Sequence, residues 1–130
     1  MQVSSLESSK FFDRINKLLI KEKNFKAIRL LNKIIKNDSL NCDAWLLLGI
    51  AKRRIKLLSE AIKCFETATD IDPEKEEAWG LYTITLIDDG NLEEAQEIIE
   101  KASRLNPLND KLSFYKENLL RVYEKFGPFF

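Results

Sequence analysis

A 34-residue period constrains this chain more than any other feature of its sequence. The stretch 44–73 reads AWLLLGIAKRRIKLLSEAIKCFETATDIDP. One period later Ala44 returns as Ala78, Trp45 as Trp79, Glu60 as Glu94, Ala61 as Ala95, Ala68 as Ala102 and Pro73 as Pro107. One period earlier, Ala27, Leu31 and Ile34 stand in the places of Ala61, Phe65 and Ala68. A fixed period of this kind marks a repeat architecture, in which a unit buries its apolar face by stacking on its neighbours.

Within each period the apolar residues recur at helical spacing. Phe11, Phe12, Ile15, Leu18, Leu19 and Ile20 predict one helix, capped by Ser8 or Ser9. Ala27, Leu30, Leu31, Ile34 and Ile35 predict the second, after a turn at Lys23-Asn24 that reads one residue shorter than the later turns. The next helix starts at Asn41 or Asp43, turns at 56–59 and pairs with a helix over about 60–71. Pro73 then opens the third unit, where a missing N–H does no harm. Asp88-Asp89-Gly90-Asn91 is a turn, a helix follows over 92–105, and Pro107 repeats the role of Pro73. A last helix over 109–126 has no partner and ends at Gly127-Pro128. Gly49 costs helix propensity, so a close approach of the neighbouring helix is expected there.

The motif Trp45, Leu48-Gly49, Ala61, Phe65, Ala68 and Pro73, with its second copy at Trp79, Ala95, Ala102 and Pro107, resembles the tetratricopeptide repeat family. The chain departs from that pattern at Lys52, where an aromatic is usual, and at Tyr82-Thr83, Leu86 and Ile99 in the second copy. The resemblance implies an all-α fold: an α-solenoid of three helix-turn-helix repeats plus a C-terminal capping helix, seven helices in all. The expected divisions are a flexible N-terminus at 1–8, repeats at about 9–41, 42–75 and 76–108, a cap at 109–126 and an apolar tail at 127–130.

Composition narrows the functions. Of 130 residues, 45% are hydrophobic and 32% charged, which is globular rather than disordered. No apolar run approaches the ~18 residues a membrane span needs, and no basic-then-apolar leader opens the chain, so a cytoplasmic protein is expected. There is no His, and no phosphate loop, nucleophile elbow or zinc spacing, so neither catalysis nor a metal or cofactor is expected. Cys42 and Cys64 read as small buried residues of a reducing compartment. Residues 1–56 carry 13 Lys or Arg against 5 Asp or Glu, and residues 57–130 carry 8 against 16. A linear stack would turn this into a basic end and an acidic end.

In the family the first helix of each repeat lines the concave face of the solenoid, and the resemblance implies a protein-interaction adaptor. Mapping it onto this chain puts Asp13, Lys17, Ile20 and Lys21 on that face from the first repeat. Leu46, Ile50, Arg53 and Arg54 follow from the second, Gly80, Ile84 and Ile87 from the third, and Phe114 and Asn118 from the cap. The expected groove has an apolar floor of Leu46, Ile50, Ile84, Ile87 and Phe114, with a basic flank at Arg53 and Arg54, suited to a peptide or helix with apolar anchors and some acidic residues. The carboxylate clamp of some family members is missing: its places hold Asp13, Lys17, Leu47, Glu77 and Leu81. Two alternatives stand beside this reading. One is self-association, as a homo-oligomer, through the tail or the opposite charged ends. The other, less favoured, is RNA binding through the basic cluster at 52–56.

Overall fold

The computed structural model describes residues 5–126, and their side chains from residue 9 onward except Leu119, Leu120, Val122, Tyr123 and Phe126. Seven helices and no strand occur among the described residues. They are α1 (Ser5–Ile20), α2 (Asn24–Asn37), α3 (Cys42–Arg54), α4 (Leu58–Ile71), α5 (Glu76–Asp88), α6 (Leu92–Leu105) and α7 (Asp110–Phe126). Helix α1 begins at Ser5, ahead of the Ser8 or Ser9 cap expected from the sequence. Nothing in the sequence at 5–9 breaks a helix. Residues 1–4 of the expected flexible segment and the expected tail at 127–130 lie outside the described residues.

All three repeats share one internal turn, against the expectation of a shorter one in the first. The first helices end at Ile20, Arg54 and Asp88, and the second helices begin at Asn24, Leu58 and Leu92, each set one period apart. The turn is closed by a left-handed residue at Glu22 (φ 58°), Lys56 (φ 66°) and Gly90 (φ 80°). In the second repeat the Lys56 N–H donates to the Arg53 carbonyl (3.0 Å) and the Leu57 N–H to the Lys52 carbonyl (2.9 Å). The same pair of bonds recurs at Glu22-Lys23 and at Gly90-Asn91. This is the Schellman closure, which satisfies the carbonyls that the last helical turn leaves open.

The core follows the period too. Ala27, Ala61 and Ala95 are fully buried, as are Leu31, Phe65 and Ile99. Gly49 is required by a close approach: a Cβ there would stand 2.5 Å from the Phe65 ring. Pro73 lies in the turn before α5, three residues ahead of the helix rather than at its start. Its carbonyl accepts from the indole Nε1–H of Trp79 (2.7 Å), as the Ser39 carbonyl accepts from Trp45 (2.8 Å) one period earlier. Each Trp thus straps its helix to the preceding turn. The Asn41 side chain caps α3 by accepting from the Ala44 N–H, and Asn109 caps α7 through Leu112 N–H, each at 3.1 Å.

The helices form two layers. Among α1, α3, α5 and α7, α3 touches α5 and α5 touches α7, whereas α2, α4 and α6 touch one another marginally at most. The layer whose members approach more closely is the inner side of the curve. Residues 57–109 carry 4 Lys or Arg against 13 Asp or Glu, and residues 110–130 carry 4 against 3. The molecule therefore has a basic first repeat, an acidic body and a nearly neutral last helix, not two opposite ends.

Candidate functional site

The inner layer is the candidate site, and its register decides which side chains reach it. Because the first turn is not shortened, the positions equivalent to Leu46 and Ile50 in the first repeat are Phe12 and Asn16, not Asp13 and Lys17. Lys17 instead occupies the place of Ala51 and Thr85, which pack on the preceding repeat and are fully buried. Lys10, Arg14 and Lys17 make one exposed cationic stripe on the face of α1 that has no neighbouring repeat, and exposed Lys21 follows in the turn. An aromatic in the Trp position, Phe11, was the signal in the sequence for the correct register.

Two further members of the expected groove are covered. Leu46 is only 4% exposed and lies in the core with Ala78, Trp79 and Tyr82 of α5. Helix α5 packs against α3 there and leaves the Leu46 side chain no room to face solvent. Gly80 is buried because the ring of Tyr115, from α7, occupies the space a Cβ would need. Tyr115 is therefore a plug that sequence reasoning missed, although a lone Gly where the other copies carry Phe12, Leu46 and Phe114 pointed to it. The accessible apolar strip that remains consists of half-buried Ile50, Ile84 and Ile87 with Phe114, which is 62% exposed, and Asn118 beside them.

The expected basic flank is engaged within the protein. The Arg53 guanidinium pairs with the Asp88 carboxylate at 2.8 Å, joining the ends of α3 and α5. Arg54 donates to the Leu19 carbonyl at 2.8 Å, a second bond to the acceptor at the end of α1 that also takes the Glu22 N–H. At the other end of the layer Lys75 pairs with Asp43, and Lys111 with Glu76 (2.8 Å). Glu76 also accepts from the Asn109 amide. Its carboxyl is held below the ordinary range first by the Lys111 bond and then by that of Asn109. Partial exposure leaves each surface pair worth little alone, but together they tie neighbouring inner helices at both ends.

Neither thiol is poised for chemistry. Cys64 is buried and its pKa is pushed up to about 11 by burial. Cys42 is also raised, by burial, and its Sγ–H donates to the Ala68 carbonyl at 3.4 Å. Among the described residues no group of three or more His, Cys, Asp or Glu could hold a metal ion. No helix there is long and apolar enough to cross a membrane.

Comparison with known proteins agrees with this architecture. Residues 56–113 match the family described as tetratricopeptide repeat. No curated protein sequence matches the chain. Among solved structures it is similar to the first such domain of Spaghetti (RPAP3) bound to an HSP90 peptide, with TM-score 0.78, 19% identity and coverage of 95% of this chain and 98% of that one. It is similar to the Sgt2 domain from Aspergillus fumigatus at TM-score 0.80 and 22% identity, covering 95% and 83%. It is also similar to the Yersinia enterocolitica type III secretion chaperone SycD, in complex with a peptide of the translocator YopD, at TM-score 0.79 and 16% identity, covering 92% and 96%.

Proposed function

Because this chain belongs to the tetratricopeptide repeat family, by sequence over 56–113 and by fold along the stack, we propose that it is a protein-interaction adaptor holding a partner segment against its inner layer. The observation that carries this reading is the accessible apolar strip of Ile50, Ile84, Ile87 and Phe114. A side chain as large as Phe114, 62% exposed on a helix face, costs free energy in water that a partner would recover. Two of the structural neighbours above were solved with peptides, which fits a peptide as ligand.

The chemistry of the strip selects the partner. Arg53 and Arg54 already have partners of their own, so recognition rests on apolar anchors, in a short helix or an extended segment. The clamp for a chaperone's terminal carboxylate is missing: of its places Asp13, Lys17, Leu47, Glu77 and Leu81, Lys17 alone is a cation. A binding role needs no catalytic group, and two unbonded cysteines fit a reducing compartment.

The test is a screen of apolar helical and extended peptides by fluorescence anisotropy, repeated with Ile50→Asp and Ile84→Asp combined. The double variant should keep its helical circular dichroism and lose about tenfold or more in affinity. A variant that binds as well as the parent would move the site off the inner layer.

A further inference from the structure

The edge of the molecule where the three internal turns line up carries opposite charges at equivalent places. In the first repeat Lys21, Lys26 and Arg29 are exposed; one repeat-pair later, the same places hold Asp89, Glu94 and Glu97, also exposed. The repeat between them holds Ile55, Glu60 and Lys63, so its charges cancel. No ion pair among the described residues involves these six side chains. Apolar side chains accompany the cations. Ile20 is 80% and Phe25 69% exposed, where the third repeat has Asp88 and Glu93. Leu57 is 42% exposed at the middle turn. Between the first and second turns lies a crevice lined by Leu19, Ile20, Glu22, Asn24 and Arg54. It holds Asn24 Oδ1, a buried acceptor with no donor among the described residues.

We propose that this turn edge is the interface of a two-fold symmetric dimer, with a second copy of the chain laid antiparallel along it. A two-fold axis through the middle repeat sets the first repeat of one copy against the third repeat of the other, twice. Lys21, Lys26 and Arg29 then face Asp89, Glu94 and Glu97, and the two Leu57 side chains meet near the axis. Ile20 then lies opposite Asp88, whose charge Arg53 already pairs, with the bare backbone of Gly90 beside it. Opposite charges at equivalent places are what such an arrangement requires, because the strictly periodic turns keep both halves in step. An anionic membrane or nucleic acid fits the edge poorly, since the row of carboxylates at its far end would repel phosphates.

Light scattering of the full chain at low salt should give twice its 15.1 kDa mass, falling toward the monomer as salt rises. The deciding experiment reverses charge at each end separately, as Lys26→Glu with Arg29→Glu and as Glu94→Lys with Glu97→Lys. Each variant alone should self-associate roughly tenfold or more weakly than the parent. Mixed one to one, they should restore the dimer, because like charges then meet opposite charges at both contacts. A parent that is monomeric at low salt overturns the proposal. So do variants that dimerise alone, or a mixture that stays monomeric while both remain helical. Binding of the parent to phosphatidylserine vesicles without dimerisation would assign the edge to a membrane instead, and also overturns it.

Discussion

Three residues close equivalent turns in a backbone state that only one of them adopts without strain. Gly90 has no Cβ to collide with the following carbonyl; Lys56 and Glu22 do. Lys56→Gly should therefore stabilise the fold by about 0.5–1 kcal/mol, the relief of strain exceeding the added freedom of the unfolded chain. Gly90→Ala should destabilise it by about 1 kcal/mol. Urea denaturation with an unchanged slope checks both. Equal midpoints for parent and Lys56→Gly would mean that the left-handed state costs nothing there.

Between elements, each repeat solves one packing problem with different volumes. The first-helix position and its facing second-helix position are Ile15 with Leu31, Gly49 with Phe65, and Thr83 with Ile99, all buried. The middle repeat trades a missing side chain on α3 for an aromatic on α4. Gly49→Thr alone should cost about 1–3 kcal/mol or more, since the buried Phe65 ring has nowhere to go. Phe65→Ile alone should cost about 1–3 kcal/mol by leaving a void. The double variant recreates the pairing of the third repeat, so its loss should be smaller than the sum by ~0.5–3 kcal/mol. Strict additivity in thermal melts would show that the two positions do not pack as a pair.

At the scale of the molecule, stability has an alkaline limit set by two buried groups. Burial raises Cys64 from 9.0 to about 11 and, together with nearby carboxylates led by Glu66, Tyr82 from 10.0 to about 12. A raised pKa means the fold holds the proton more tightly than the unfolded chain does. The stabilisation is complete below pH 9 and is lost as pH climbs through 9 to 12. Melting temperature should therefore be level from pH 7 to about 9 and fall above it. Cys64→Ala should remove the first part of the fall, and a flat profile to pH 11 would contradict the burial of both groups.

The sequence by itself determined the period, the helix pairs and the small-residue contacts, because a stack of repeats writes its local packing into every copy. Ala27, Ala61 and Ala95 are legible as one buried position, and Gly49 as a close approach, without coordinates. The length of the first turn is not legible in the sequence, because Glu22 and Lys56 give no chemical sign of a left-handed residue where Gly90 does. One residue of register separates Phe12 and Asn16, the equivalents of Leu46 and Ile50, from the expected Asp13 and Lys17. Only the tertiary structure decided which groove positions stay open. Leu46 is closed by α5 and Gly80 by Tyr115, while Arg53 and Arg54 are taken up by Asp88 and the end of α1. Those are meetings between helices a full repeat or more apart in the chain, and periodicity within one helix cannot report what another helix brings against it.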